Sequence, residues 1–267
     1  MSKKPETKTE TKNFMTVNDQ KALSQPLAHP TANFVTGDYL IPKLLLMQGL
    51  SEFVTDRKAQ LGDIVRSTDG KVVGGVDLPI DIIPLTLTPE WVVQEAQGNK
   101  FVRIEPRDNS NDHLPWEFVG QGGKAMKRIK SLSLFALLAD DVKNAQGKSD
   151  DIDGIPDLDT TVLPVQISFR STSFNAGKAM ATMFAKVAEL SKSYPHVRAY
   201  HYTVPLTCHH EKNDKGTFYL YDLKAAKKTD KVCLEKAGEW YATLTQMGSR
   251  LRVHEEAKAA ASDVEHF

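Results

Sequence analysis

Short segments rich in β-branched and aromatic residues, bounded by turn residues, fill most of this chain between residues 62 and 223. The longest, VDLPIDIIPLTLTPEWVV at 76–93, alternates apolar and polar residues, and its Pro79 and Pro84 predict an edge strand or a bulge. Further predicted strands are FVRIEP at 101–106, TVLPVQISFRSTS at 161–173, RAYHYTVPLTCHH at 198–210 and GTFYLYDL at 216–223. This pattern predicts a β-rich α+β fold.

Turn and helix signals give these strands an order. Asp69-Gly70 lies between two short apolar runs and predicts a hairpin, whereas SLSLFALLADDV at 131–142 fits either a strand or a short buried helix. Helical spacing predicts one helix at 176–194 and another at 231–256. The resulting order fits an OB-fold-like five-stranded barrel with a helix between strands 3 and 4, an insertion and a C-terminal helix. A generic α+β sheet would give the same order.

Composition divides the chain into three parts. Residues 1–30 are rich in Lys, Thr, Glu, Gln and Pro and are expected to form a disordered arm. Residues 31–253 are predicted to form a single OB-like domain with an insertion around 105–160. Residues 254–267 are predicted to form a flexible acidic C-terminal tail.

Charge and cysteine content exclude several classes of protein. Lysine plus arginine equals aspartate plus glutamate at 34 each, which does not favour a binder that relies on bulk positive charge. Two cysteines are too few for a disulfide framework, and no apolar run is long enough to cross a membrane. We therefore expect a cytoplasmic protein, in the host cytoplasm if it is phage-encoded, with no membrane partner.

Motifs for catalysis or metal binding are weak. Cys208 and His210 lie on one face of a predicted strand, but no second cluster completes a metal shell. The acidic run at 149–159 resembles the start of a calcium-binding loop, but Thr160 stands where that loop needs a glutamate. The segment GQGGK at 120–124 lacks the residue spacing of a phosphate-binding loop. We expect no enzyme activity, no cofactor and no metal; a metal-dependent enzyme using Cys208 and His210 is the weakest hypothesis.

Aromatic residues next to basic residues recur on the predicted strands and loops. Rings can stack on bases and cations can follow a phosphate backbone, so this pattern is typical of single-stranded nucleic-acid binding. The alternative is that the rings fill the core and the lysines face solvent. The candidate contacts are Phe101, Arg103, Lys124, Lys127, Arg128, Lys130, Phe169, Arg170, Phe174, Tyr200, Tyr202, Tyr219, Tyr221, Lys224, Lys227 and Lys228.

The C-terminus combines negative charge, an aromatic ring and a free carboxylate in Asp263, Glu265 and Phe267. Such an end could bind a partner with a basic, apolar groove. It could also cover a cationic groove of its own chain, or be an ordinary polar tail.

Several segments resemble bacteriophage single-stranded DNA-binding proteins. They are YLIPKLLLMQGLSEFV at 39–54, GDIVRSTDGKVV at 62–73, LPVQISFRSTSFNAGKAM at 163–180 and the terminal DVEHF. The resemblance implies an OB-fold protein that coats single strands in replication, recombination or repair and recruits partners through its tail. A phage structural or host-interaction protein without nucleic-acid binding is the alternative, and the sequence leaves open whether the chain forms a homo-oligomer.

Overall fold

The computed structural model describes residues 41–49, 51–146, 162–213 and 216–247. The predicted N-terminal arm and C-terminal tail lie outside these residues. The strands are β1 (Leu44–Leu46), β2 (Ile64–Arg66), β3 (Val72–Gly74), β4 (Ile80–Glu95), β5 (Phe101–Pro106), β6 (Glu117–Val119), β7 (Ala125–Leu138), β8 (Val165–Arg170), β9 (Tyr202–Asn213), β10 (Gly216–Leu223) and β11 (Lys227–Lys228). The helices are α1 (Glu52–Thr55), α2 (Ala139–Gln146), α3 (Phe174–Ser193) and α4 (Lys231–Met247).

Antiparallel pairing dominates, so the predicted β-rich α+β class is confirmed. The larger sheet runs β10-β9-β4-β7-β6, with β11 on β9, β5 on β4 and β8 on β7, and the smaller sheet is β1-β2-β3. The predicted hairpin at Asp69-Gly70 joins β2 to β3, and Gly70 takes the positive φ of 66° that glycine tolerates.

Two long strands, β4 and β7, form the centre of the larger sheet and pair with each other over most of their length. The other edge of β4 pairs with β9 at Ile80–Ile82 and with β5 at 90–94. The other edge of β7 pairs with β8 at 131–136 and with β6 at 125–127. We call the four-stranded end, formed by β5, β6, residues 90–95 and residues 125–130, the arm.

Pro84 lies within β4 at a register shift between Pro84 and Thr86. The pairing of β9 with β4 ends at Ile82, so the missing N–H of Pro84 interrupts no ladder on that edge. The bulge predicted from the prolines is therefore present, in a central strand of the sheet.

Strand β7 is buried on both faces by two separate cores. On one face Leu132, Leu134 and Ala136 pack with residues of β8 and with Met180 of α3. On the other face Phe135 and Leu137 pack with residues of α2 and α4. Burial on both faces explains why its sequence is a continuous apolar run, and why strand and helix could not be told apart there.

The range 105–160, predicted to be an insertion, contains β7 and so supplies a central strand. The body of the sheet has the order β8-β7-β4-β9-β10, and α3 lies between β8 and β9 in the chain. Strands β8 and β10 do not pair with each other, no closed barrel is found in the described part of the chain, and the OB-like barrel is not confirmed.

Strand β1 lies between β8 and β10. Lys43, next to β1, forms an isolated parallel bridge with Gln166 of β8. On the other side, the Gln48 amide accepts from the N–H of Tyr219 at 3.0 Å and donates to its carbonyl at 2.8 Å. One side chain thus satisfies both backbone groups of Tyr219 on the outer edge of β10.

Candidate nucleic-acid interface

Two of the predicted stacking residues belong to the core. Phe169 is 0 % exposed and Tyr221 is 6 % exposed, and their rings meet edge to face with centroids 5.7 Å apart. The Tyr221 hydroxyl donates to the Leu44 carbonyl at 3.0 Å, and burial raises the pKa of this phenol well above its ordinary value. Neither ring can present a face to a base, because strand β1 and helix α3 cover this side of β8 and β10.

The other predicted tyrosines are half-buried beside histidines or lysines. Tyr219 lies 5.5 Å from the His210 ring. Tyr200 stacks on His201 at 4.8 Å and contacts Tyr241 at 5.2 Å, so it packs towards α4. Tyr202 is paired through the backbone with Lys228.

Three predicted lysines lie beside these tyrosines, at the β9–β11 end of the sheet. Lys224 is 2.5 Å from Asp222, and Lys227 is 2.6 Å from Asp81. Lys228 is exposed and makes no ion pair with the described residues. Most of the positive charge at this end is therefore neutralised by carboxylates.

The arm brings together six other predicted residues: Phe101, Arg103, Lys124, Lys127, Arg128 and Lys130. Their cations are also mostly paired, with Arg103 and Arg128 both on Glu105 at 2.6 and 3.0 Å. Lys124 binds Glu95 at 2.9 Å. Lys127 donates to the neutral amide of Asn99 instead.

Cations and rings alternate along one face of the arm and continue to the start of α3. The Arg128 guanidinium lies 3.8 Å from the Phe118 ring centre, and the Lys130 ammonium lies 5.4 Å from Trp91. Arg107 is 5.7 Å from both Trp91 and Phe174, and Lys178 is 5.5 Å from Phe174. We call this row the aromatic–cation stripe; its residues are Phe118, Arg128, Lys130, Trp91, Arg107, Phe174 and Lys178.

Accessibility varies along the stripe, because Trp91 at its centre is only 2 % exposed and cannot stack on a base, whereas Phe118 and Phe174 are half-buried. Trp116 is 64 % exposed, and its carbonyl accepts from the Arg128 N–H at 2.6 Å, which continues the β6–β7 pairing. Trp116 thus lies immediately before β6. Arg170 ends β8 opposite Ser131 and therefore projects from the face of the sheet opposite to Lys130; it is exposed and makes no ion pair within the described residues.

The carboxylates of the stripe are stabilised as anions. Burial tends to raise the pKa of Glu105, but hydrogen bonds from Arg128 and Arg103 outweigh it and hold that pKa below its usual value. The pKa of Asp112 is lowered by hydrogen bonds from Lys130 and Arg107. Both groups therefore remain charged well into the acidic range.

The sequence patterns missed five residues of this surface: Trp91, Arg107, Trp116, Phe118 and Lys178. Trp91 and Lys130 are 39 positions apart in the sequence, so no local spacing reveals the contact between them. A usable signal was present in the segment 107–118, where a basic residue and two aromatic residues flank a turn-rich run.

The residues of the metal hypothesis do not converge. Cys208 is buried, its thiol donates to the Gly62 carbonyl at 2.8 Å, and burial raises its pKa to about 11. His210 is exposed and lies against Tyr219. In the described ranges no group of three or more histidine, cysteine or acidic side chains is placed to hold a metal ion.

Among the described helices, none is both long enough and apolar enough to span a bilayer. No curated protein and no solved structure matches the chain. A family model described as Pam3 phage gp34-like protein matches residues 28–249, which is most of the 267-residue chain. The chain therefore belongs to the Pam3 phage gp34-like family of phage proteins.

Proposed function

We propose that this chain is a single-stranded DNA-binding protein that coats single strands in replication, recombination or repair. The aromatic–cation stripe is the observation that carries the proposal. The accessible rings, Phe118, Phe174 and the neighbouring Trp116, provide stacking surfaces that suit any base. The cations beside them attract the phosphate backbone, so binding by such a surface is largely independent of sequence.

The strand order supports the same proposal. An order of β8-β7-β4-β9-β10, with a helix between β8 and β9, is how an OB barrel is connected, and β1 lies where strands 3 and 5 would close it. Oligonucleotides bind OB barrels on the face of strands 2 and 3 and on the loops that connect strands 1–2 and 4–5. The loop between strands 1 and 2 corresponds here to the arm, which carries most of the stripe, whereas the two faces of β7 in the body of the sheet are covered.

The cations still available for phosphate contacts are fewer than the sequence predicted. Arg170 and Lys178 make no ion pair with the described residues, and Lys127 has only a neutral partner. For single strands, each neutralised phosphate contributes about 0.7 to the slope of log affinity against log salt. We therefore propose a shallow salt dependence, with ring contacts providing much of the affinity.

The test is a fluorescence anisotropy titration of a labelled oligothymidylate at about 50 mM and about 200 mM salt. We expect binding at the lower salt, and a weaker affinity for Lys178→Gln and for Trp116→Ala. Lys228→Gln is the matched control, because it removes an exposed, unpaired cation at the other end of the sheet. Absence of binding at low salt, for both single-stranded DNA and RNA, overturns the proposal.

The C-terminal tail lies outside the described residues. We propose that Asp263, Glu265 and Phe267 either recruit replication or recombination proteins or compete for the binding surface. If they compete, deletion of residues 263–267 tightens binding most at low salt, where charge is least screened. If they recruit a partner, the deletion leaves strand affinity unchanged and abolishes co-purification of that partner.

One observation favours a phage structural or host-interaction role instead. The outer strands of the arm expose Val102 and Val119 at 38 and 74 %, and Trp116 just before β6 is 64 % exposed; exposed apolar side chains are candidates for protein contacts. If Trp116→Ala leaves strand affinity unchanged while Val119→Glu abolishes binding to a phage or host protein, the arm is a protein-binding surface.

A further inference from the structure

Asp112 joins the two cations at the centre of the stripe. Its carboxylate accepts from the Lys130 ammonium at 2.9 and 3.0 Å and from the Arg107 guanidinium at 2.8 Å. The Asp112 side chain is 47 % exposed, so solvent or a ligand reaches it directly. An anionic group held by a lysine and an arginine beside aromatic rings has the surroundings of a phosphate in a single-strand complex.

A compact turn holds Asp112 in this position. Asp108 accepts from the N–H of Ser110 at 2.8 Å, and the N–H of Asp112 donates to the Asp108 carbonyl at 2.9 Å. The Asn111 amide donates to the Pro106 carbonyl at 2.8 Å, and its oxygen faces the Trp91 indole nitrogen at 3.4 Å. The turn therefore lies over Trp91 and places the carboxylate on the cations without help from another chain.

Arg107 retains an unused hydrogen-bond donor. Its Nε atom is buried and has no hydrogen-bond partner within the described residues. The guanidinium lies between the rings of Trp91 and Phe174, so its orientation is fixed while one donor stays unsatisfied. A phosphodiester has two non-bridging oxygens, so it can accept from Arg107 Nη1 and Lys130 Nζ, the two donors that Asp112 occupies.

Glu105 also binds two cations but differs in accessibility. Its carboxylate is 23 % exposed against 47 % for Asp112, while the arginine partners Arg128 and Arg107 are similarly buried at 12 and 14 %. Because the Glu105 carboxylate is the more buried of the two, breaking its ion pairs costs more than breaking those of Asp112. Of the two carboxylates, Asp112 is thus the one that an incoming anion displaces more readily.

We propose that Lys130 and Arg107 form a phosphodiester-binding site that Asp112 occupies in the free protein and leaves when single-stranded nucleic acid binds. The inference rests on the proposed function and names the contact at which the strand backbone is held. Competition by an internal carboxylate sets the affinity below what the cations alone would give.

The experiment compares Asp112→Asn with Glu95→Gln in the full-length chain. Both variants remove one negative charge from the arm, but Glu95 binds a single exposed cation, Lys124. Binding of labelled oligothymidylate is measured at low and at high salt, with thermal melting as the check on folding. Asp112→Ala is the second variant, and Lys130→Gln tests the cation itself.

We expect Asp112→Asn to bind the oligonucleotide about three to ten times more tightly than the natural chain at low salt, since the two ion pairs of Asp112 no longer compete. Glu95→Gln should change the logarithm of the affinity by less than half of the change that Asp112→Asn causes. Lys130→Gln should weaken binding. Equal tightening by Asp112→Asn and Glu95→Gln overturns the inference and leaves strand binding intact. Failure of the natural chain and of every variant to bind overturns the proposed function itself.

Discussion

The Tyr221 hydroxyl is the polar group of a ring pair that lies in the main core. Because its acceptor, the Leu44 carbonyl, is also buried, Tyr221→Phe leaves that carbonyl without its donor. We expect the free energy of unfolding in urea to fall by about 1 kcal/mol for Tyr221→Phe, and by about 3–5 kcal/mol for Tyr221→Ala, which also leaves a cavity.

Tyr219→Phe is the control for this measurement. The Tyr219 hydroxyl makes no hydrogen bond with the described residues, and only its backbone is held by Gln48. We expect no change beyond about 0.5 kcal/mol for Tyr219→Phe. If Tyr221→Ala proved as mild as Tyr219→Phe, Tyr221 would not be a core residue.

His201 makes stability depend on pH. Burial lowers the pKa of His201 below the ordinary value, and the charges of His196 and Arg198 lower it further. The hydrogen bond from the Arg198 N–H to Nδ1 does not reverse this shift. The folded state therefore prefers neutral imidazole. Its contribution is present in full above the ordinary pKa of about 6.5 and decreases as the pH falls below it, because the unfolded chain takes up the proton first.

Replacing His201 by asparagine removes this titration but keeps an acceptor near Nδ1. The loss of melting temperature between about pH 7.5 and about pH 5.5 should be smaller for His201→Asn than for the natural chain. His209→Asn, at an exposed position of β9, is the matched control. An unchanged pH profile in His201→Asn would contradict the assignment.

At the scale of elements, the contact between α3 and β8 depends on a glycine. A Cβ at Gly177 would lie 2.6 Å from the Phe169 Cβ and 3.0 Å from a Leu132 methyl group. Glycine to alanine within an exposed part of a helix stabilises by up to about 1 kcal/mol, but overpacking a core costs about 1–3 kcal/mol. We expect Gly177→Ala to lower the free energy of unfolding in urea.

Gly238 in α4 is the matched control, since its nearest neighbour to an added Cβ is the Tyr200 hydroxyl at 4.0 Å. Gly238→Ala should therefore raise stability through helix propensity alone. If Gly177→Ala lowers the free energy of unfolding and Gly238→Ala raises it, α3 packs tightly against β8 at Gly177. If both substitutions raise the free energy of unfolding, α3 can shift away from Phe169.

Elements stabilised by local contacts could be predicted from the sequence, and those stabilised by distant contacts could not. The β2–β3 hairpin, the β9–β10 pair and α3 each have a turn signal or a periodicity inside their own segment. The arm consists of two hairpins, at 90–106 and 117–130, and their arrangement side by side depends on the register of β4 against β7, which no signal inside either segment reveals. The central position of β7 likewise depends on helices that cover both of its faces.

The candidate site shows the same limit. Alternation correctly places Tyr219 and Tyr221 on one side of β10, but which rings are covered is decided by β1 and α3, which are remote in sequence. The lysines and arginines were predicted to form a cationic track, yet Glu105, Asp112, Asp81 and other acids neutralise most of them. The composition shows that acidic and basic residues are equal in number, but only the fold shows which of them form ion pairs.

At the scale of the whole molecule, the predicted contacts fall into two groups at opposite ends of β4. Asp81 pairs with β9 near Lys227, whereas Val93 pairs with Arg103 in the arm. Twelve residues of strand separate Asp81 from Val93, which corresponds to about 40 Å at about 3.3 Å per residue. A single strand held by the arm alone therefore does not need the lysines of β11.

The two-ended distribution of charge leads to a prediction about oligonucleotide length. If the strand binds only along the arm and the start of α3, affinity for oligothymidylates should stop rising within about 4–16 nucleotides, the range of site sizes for one OB domain. Lys228→Gln should then bind like the natural chain at every length, whereas Lys178→Gln should bind more weakly at every length. If the strand instead runs from the arm to β11, affinity should keep rising beyond that range, and Lys228→Gln should lose affinity only for the longer oligonucleotides. Titrations with a series of oligothymidylate lengths at one fixed salt concentration distinguish the two paths. The protein concentration is kept low enough that only one copy binds each strand.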